Sequence, residues 1–375
     1  MTFSVHQHWD PLKVCAVGQS YPAHFYNFIK SQKARSVMQR IAEETEEDYQ
    51  KLINLLNKFG VEIVRTKLVD DPDYYFRNGK YISPPMCPRD YTAMIGDKFF
   101  SKSDKYTTIW NNLRDESWPE HMPDRWEQIP ESIRDELVNQ FGHSEKDLYQ
   151  NRFEDIHNLV KQQGNEIIYD TRINSAEHVR VGKDLYHGTG ERERVKPETQ
   201  SKYDQLFPEY RNWIVDTQGH CDGFFCAVKP GLIVSLYDKP DYNVEFPGWE
   251  VVHLPNESWT KMGKFLGLKL KNGGKWWVPG EENNDEFTHY VTEWIDHWMG
   301  YAEETVFDVN MLVIDQENVI CNSNNPKVME AFERHGITPH ILNFRHRYFW
   351  DGGLHCITSD LDREGQRQDY FPERS

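Results

Sequence analysis

Thiol, imidazole and carboxylate side chains gather in four short segments of this 375-residue chain. They are Met86-Cys87-Pro88-Arg89-Asp90, Ile173-Asn174-Ser175-Ala176-Glu177, Gly219-His220-Cys221-Asp222 and Asp351-Gly352-Gly353-Leu354-His355-Cys356. Such groups serve nucleophilic and acid–base chemistry, or metal ligation. Taken singly, each has a plainer use. A lone cysteine is a small buried hydrophobe, a lone histidine a structural hydrogen-bonding residue, and an aspartate before a hairpin a turn residue. His220, Cys221, Cys226, His355 and Cys356 would suit zinc, but their spacing matches neither a paired CxxC nor an HExxH pattern. No metal is expected. Gly188-Thr189-Gly190 lacks a third glycine and no GxxxxGKS or GxxxxGKT run exists, so no nucleotide site or other cofactor is expected either.

The segments gain meaning from the elements that follow them. Tight hairpins are expected for Tyr91 to Ile95 with Lys98 to Phe100, Val179 to Val181 with Leu185 to His187, and Phe224 to Val228 with Leu232 to Ser235. A fourth joins Asn310 to Ile314 with Val319 to Cys321. Gly96, Gly182 and Gly231 supply the turn conformations. Between hairpins, amphipathic helices stop at glycine and a short apolar strand follows. Ser36 to Phe59 ends at Gly60 before Val61 to Val64, Phe153 to Val160 ends before Gly164 and Glu166 to Tyr169, and Asn325-Pro326 opens a helix that stops at Gly336 before Pro339 to Leu342.

Lone strands at Lys13 to Val17 and Cys356 to Ser359 would pair as a fifth unit and join the chain ends. The pattern predicts an α/β chain, one domain over 1–375, with hairpin–helix–strand modules in a closed radial array. In such an array the segments before the hairpins converge on the axis, which makes four remote segments one site. Ser101 to Lys146, Gly188 to Gln200 and Gly280 to Glu304 are polar or acidic and read as surface insertions or lids.

Composition narrows the function classes. Lys and Arg number 43 against 60 Asp and Glu, a formal charge of −17. That argues against a nucleic-acid partner, which needs a basic face. Apolar residues make up only 38%, but 20 Phe, 19 Tyr and 12 Trp supply a core. No apolar run nears the about 20 residues of a membrane helix, so no membrane partner is expected. Met1 to Asp10 shows no basic stretch followed by an apolar one, and the six cysteines are sparse. Both suit a reduced, cytoplasmic protein.

The combination resembles the amidinotransferases of the guanidine-modifying pentein superfamily, the glycine amidinotransferase family most closely. The strongest stretch is Val309 to Phe371, with Asn310-Met311-Leu312, Asn322 to Gly336, Gly352-Gly353-Leu354-His355-Cys356 and Asp360-Leu361-Asp362-Arg363 in order. His220-Cys221-Asp222 followed by Lys229 to Ser235 resembles the family's His-x-Asp segment, and Met86 to Asp90 its Pro-Arg-Asp segment. Trp9-Asp10-Pro11-Leu12 and Val17-Gly18 resemble its opening.

The resemblance implies a pseudo-five-fold α/β propeller. It implies that the amidino group of arginine, or a similar guanidine, moves through an amidino-Cys356 intermediate to a primary amine such as glycine, releasing ornithine and guanidinoacetate. Cys356 is then the nucleophile, His220 the acid and base, and Asp90 and Asp222 the guanidinium holders. Asn174 stands where the family has an Asp paired with the catalytic His. Lys239 stands where it has an Arg for the donor's carboxylate, and Lys lacks the bidentate fork. No cofactor is implied; the partners are small guanidines and amines, with a homodimer as the assembly. The alternatives are a guanidine hydrolase and a non-catalytic guanidine-binding protein.

Overall fold

The computed structural model describes residues 2–68, 76–77, 80–81, 83–102, 110, 113–120, 123, 126–142, 152–170, 173–190, 197–254 and 262–374. Local signals set the helices. Ser31 Oγ accepts from Ala34 N (3.2 Å) and opens the helix Gln32–Lys58, which Gly60 ends at φ 75°. Val37, Met38, Ile41, Leu52 and Leu56 form its buried stripe, each worth ~1.5–3 kcal/mol of removal from water. Asn325 Oδ1 accepts from Lys327 N (3.1 Å), Pro326 begins the helix Pro326–Arg334, and Gly336 turns the chain at φ 66°.

Among the described residues, five three-stranded sheets share one pattern: an antiparallel hairpin with a third strand added parallel to its second. Thr92–Ile95 pairs with Lys98–Ser101 and then Ile167–Tyr169. His178–Val181, Asp184–Gly190 and Arg211–Gln218 form the next, followed by Phe225–Lys229, Leu232–Ser235 and Glu250–His253. Leu312–Val313, Asn318–Cys321 and Thr338–Ile341 form the fourth. The fifth joins the chain ends: Thr358–Arg363 against Leu12–Val17, then Glu62–Arg65. Thr92–Ile95, His178–Val181 and Thr358–Asp360 are wholly buried, whereas Glu62–Arg65 and Thr338–Ile341 are partly exposed. No ladder joins one sheet to the next; single bridges, Val5 with Gly96 and Gln7 with Val181, tie the N-terminal stretch to two of them.

Four expectations need correction. The closing strand begins at Thr358, so Cys356 lies in the turn before it. Arg211–Gln218 and Glu250–His253 are strands that polar residues on both sides hid in the sequence. Gly188 to Gln200 is not one loop: its start completes the strand Asp184–Gly190, its end opens the helix Pro197–Leu206, and 191–196 lie outside the described residues. Gly280 to Glu304 is not a surface loop, since Phe287, Val291 and Ile295 are fully buried in the main core. Of Ser101 to Lys146, residues 103–109, 111–112, 121–122, 124–125 and 143–146 lie outside the described residues. The rest carries a small core of its own from Trp110, Trp118, Ile129, Ile133 and Leu137.

Three of the modules meet at one carboxylate. Asp360 accepts from Arg180 Nη2 (2.7 and 2.9 Å), Arg363 Nε (2.8 Å) and Arg89 Nη2 (3.2 Å), all with side chains at most 1% exposed. Replacing Asp360 by Asn keeps the shape and removes the charge. We expect a loss of about 3–5 kcal/mol, the scale for stranding buried charges, read as a lower urea midpoint with an unchanged slope. A loss under about 1 kcal/mol would show that water or backbone oxygens satisfy the arginines without it.

Candidate active site

Cys356 follows two glycines whose lack of a side chain is structural. A Cβ at Gly352 would lie 3.0 Å from Cys87 Sγ, and one at Gly353 2.8 Å from Phe307 Cδ1. The loop is held from two sides. Arg89 Nε donates to His355 O (2.7 Å) and Thr358 O (2.8 Å). Trp350 Nε1 donates to Thr45 Oγ1 (2.9 Å), and Arg345 Nε to Asp48 (3.0 Å), on the helix Gln32–Lys58.

Asn310 is the nearest polar neighbour of the thiol. Its Nδ2 donates to Cys356 Sγ (3.0 Å) and Asp222 O (3.0 Å), while its Oδ1 accepts from the N–H groups of His355 (3.0 Å) and Cys356 (3.2 Å). Asp222 Oδ2 accepts from His355 Nδ1 (2.9 Å) and from the Cys356 thiol (3.4 Å). Its Oδ1 is buried and unpartnered.

Burial and the Arg89 charge push His355 down to about 4, so it is a neutral donor. Burial alone would raise Asp222, but the His355 hydrogen bond and the charges of His220 and Arg89 hold it at about 2. Cys356 goes the other way. Burial first, then the charges of Asp222 and Asp90, raise its thiol well above the usual value.

His220 reaches the site from the next turn of the chain. Its Nδ1 lies 3.7 Å from Asp90 Oδ1, and its side chain is 41% exposed, open to proton exchange. Burial would lower it, but Asp90, Asp222 and Glu177 outweigh burial and Lys102, so it titrates above the usual imidazole value. Asp90 Oδ1 has no hydrogen-bond partner. The structure thus brings Cys356, Asp222, Asp90 and His220 into one electrostatic cluster.

Two further sequence candidates have partners of their own. Asn174 Oδ1 accepts from the N–H groups of Ala176 (3.0 Å) and Glu177 (3.1 Å). Its Nδ2 is buried and unpartnered, and the carboxylate beside His220 is that of Asp90. Lys239 is paired with Glu245 (3.0 Å) and lies over the rings of Phe224 and Tyr242.

Two residues quoted in the sequence motifs carry roles that no motif assigned: Asn310, and Asp351 beside Gly352. Although Asp351 is exposed to solvent, desolvation by the protein around it, then Asp90 and Asp222, push its carboxyl up to about 6, with His220 opposing. Behind Asp222 and His355 lies a cavity of about 20 Å³, room for one water and not for a substrate. Among the described residues, no three His, Cys, Asp or Glu side chains converge as a metal-binding group.

A thiol, an imidazole with raised affinity for protons, and unpartnered carboxylate oxygens can bind a planar cation and attack its carbon. The chain resembles glycine amidinotransferases in sequence over 97% of its length. It is 23% identical to the mitochondrial glycine amidinotransferase of Gallus gallus and 22% to that of Xenopus tropicalis, over 97% of this chain and 83% of each relative. No family model matches it. In structure it resembles an amidinotransferase of the saxitoxin biosynthetic pathway from Microseira wollei, with TM-score 0.60, 16% identity, and coverage of 98% of this chain and 99% of that one. The inosamine-phosphate amidinotransferase of Streptomyces griseus matches with TM-score 0.59, 16% identity and the same coverage. These structures share its fold.

Two measurements check the electrostatics. Alkylation of the Cys356 peptide by iodoacetamide should quicken about tenfold per pH unit from about pH 7 to about pH 9, because thiolate is the minor form there. A rate flat across that range would mean the thiolate already predominates. Asp90→Asn removes the leading charge that raises His220, so the His220 NMR titration should move to lower pH; an unmoved midpoint would assign the shift to other carboxylates.

Proposed function

We propose that this chain is an amidinotransferase working through Cys356, on a five-module propeller of the kind its five like sheets suggest. The observation that carries the proposal is the contact set around the thiol: Asp222 at 3.4 Å and Asn310 at 3.0 Å, with Asp90 and His220 in the same cluster. A guanidinium held by Asp90 and Asp222 neutralises the very charges that keep the thiol protonated. Substrate binding therefore lowers the thiol pKa.

The steps balance. The thiol proton passes to His220, and Sγ bonds to the guanidinium carbon. The carbon–nitrogen bond to the leaving amine breaks as His220 returns that proton to its nitrogen. The acceptor amine then attacks the amidino carbon, gives its proton to His220, and releases the sulfur as thiolate. Arginine is the first donor to test, with ornithine as the leaving amine. Glycine is the acceptor named by the vertebrate relatives. Asn310 supports the sulfur through its amide N–H, and Asp90 with Glu177 supplies the charge beside His220 that Asn174 does not.

The test is intact-protein mass spectrometry after acid quenching, with arginine present and absent. An amidino-sized gain mapped to Cys356, with ornithine released and the gain discharged by an added amine, is the expected result. Cys356→Ser should abolish turnover. Ureido product formed without any amine would replace transfer by hydrolysis, and turnover that survives Cys356→Ser would overturn covalent catalysis altogether.

A further inference from the structure

His355 stands one residue before the proposed nucleophile and meets the site through Asp222. Its Nδ1 lies 2.9 Å from Asp222 Oδ2, the oxygen that also accepts from the Cys356 thiol at 3.4 Å. Among the described residues these are the carboxylate's hydrogen bonds, both on Oδ2, while Oδ1 is buried and unpartnered. The imidazole is 11% exposed and the carboxylate 5%. One oxygen is tied to the loop of the nucleophile and the other is left open.

The ring is fixed through its own backbone. The His355 N–H donates to Asn310 Oδ1 (3.0 Å), and its carbonyl accepts from Arg89 Nε (2.7 Å) and Thr358 Oγ1 (3.1 Å). The titratable and charged groups facing the ring are Asp222, Asp360, Arg89 and His8, whose ring centroid is 5.8 Å away. Burial first, then Arg89, keep the imidazole neutral, so it carries a single N–H. Against a carboxylate oxygen that hydrogen belongs on Nδ1, because a bare nitrogen there would set lone pair against lone pair.

Asp222 is the group that most needs this hydrogen. Facing it are the carboxylates of Asp90 and Asp351, the thiols of Cys87, Cys221, Cys226 and Cys356, and the basic groups of His220 and Arg89. Burial would raise its carboxyl, and the His355 hydrogen bond leads the influences that hold it down, ahead of His220 and Arg89. Without that bond burial gains ground, and Asp222 takes up a proton at higher pH than before. A protonated Asp222 neither attracts a guanidinium nor accepts its N–H groups on both oxygens.

We propose that His355 is a positioning residue for guanidine binding, its Nδ1–H pinning Asp222 Oδ2 so that the open Oδ1 is left as an acceptor for the N–H groups of the donor substrate. The inference rests on the transferase reading above and adds to it the group that prepares Asp222. Since the bond favours ionised Asp222, its contribution to binding is present at neutral pH. Its loss shows as binding that weakens when pH falls through the raised value.

The experiment measures binding of arginine and, separately, 1-amino-4-guanidinobutane by calorimetry in the Cys356→Ser protein, at about pH 5.5 and about pH 8. Adding His355→Phe should raise the ratio of the two Kd values at least about threefold, since each pH unit below a carboxyl's pKa costs about tenfold in its ionised form. His355→Asn, whose Nδ2–H takes the place of Nδ1–H, should return the ratio to that of the His355 protein. A merely structural role would weaken binding equally at both pH values. A ratio unmoved by His355→Phe, or no recovery with His355→Asn, overturns the inference. The His355 tautomer needs no variant: long-range 1H–15N spectra of the unaltered protein should show a neutral ring with its hydrogen on Nδ1, and hydrogen on Nε2 would overturn the inference even if His355→Phe did not fold. Cys356 loading is read by mass spectrometry alongside. Loading with an unmoved ratio keeps the transferase and removes His355 from it, whereas absence of both loading and guanidine binding overturns the transferase reading and this inference with it.

Discussion

Asp360 receives three guanidinium groups from three parts of the chain, and the loop that carries Cys356 hangs on one of them. Arg180 comes from the second hairpin, Arg363 from the strand of Asp360 itself, and Arg89 from the segment before the first hairpin. Two further bonds from Arg89, to His355 O and Thr358 O, fix the turn that carries Cys356. Arg363 also donates to Asp10 O and Val313 O, which reaches a fourth part of the chain. Buried ion pairs repay their desolvation poorly, and their use lies in choosing one arrangement among near alternatives. Sheets without shared ladders pack through side chains and could slide. A carboxylate that all three arginines must reach at once leaves a single packing.

The same excess of fixed charge governs the chemistry on the other side of Arg89. The resting site holds its thiol protonated, because burial and the carboxylates of Asp222 and Asp90 oppose thiolate. A neutral ligand leaves that opposition in place. A planar cation removes it, and does so only when seated on the carboxylates that flank the sulfur. On the proposed mechanism, binding and activation are one event, and selectivity for guanidinium needs no separate gate. Asn310 fits this scheme, since its amide N–H supports sulfur without adding charge.

The hairpins and helices were legible because each is set locally, by Gly96, Gly182 and Gly231 at positive φ, by the Ser31 and Asn325 caps, and by stops at Gly60, Gly164 and Gly336. The convergence of the segments before the hairpins was legible too, and it extends one step further than the motif reading took it. Asn310 precedes the fourth hairpin as Asp90 and Asp222 precede the first and third, and it is the residue that touches the sulfur. Asn174 obeys the position as well, and its Oδ1 caps its own turn while its Nδ2 stays unpartnered. Arg211–Gln218 escaped because Arg211, Asn212, Asp216 and Gln218 leave only Trp213, Ile214 and Val215 as an apolar run, with no glycine-stopped helix before it. A left-handed aspartate has no sequence signal: Asp-Gly-Gly reads as an ordinary loop until a neighbour such as Gly300 is known.

These origins separate what the site does from what it acts upon. The thiol, its two carboxylates, the imidazole and Asn310 belong to turns at hairpins, tied directly or through Arg89 to the Asp360 centre. Asp351 and its neighbours Gly300 and Glu303 belong to the loop before Cys356 and to the segment packed on the helix Gln32–Lys58. Asp351 and Gly300 can vary without disturbing the arginine cluster, because no described hydrogen bond or ion pair links Asp351 to it.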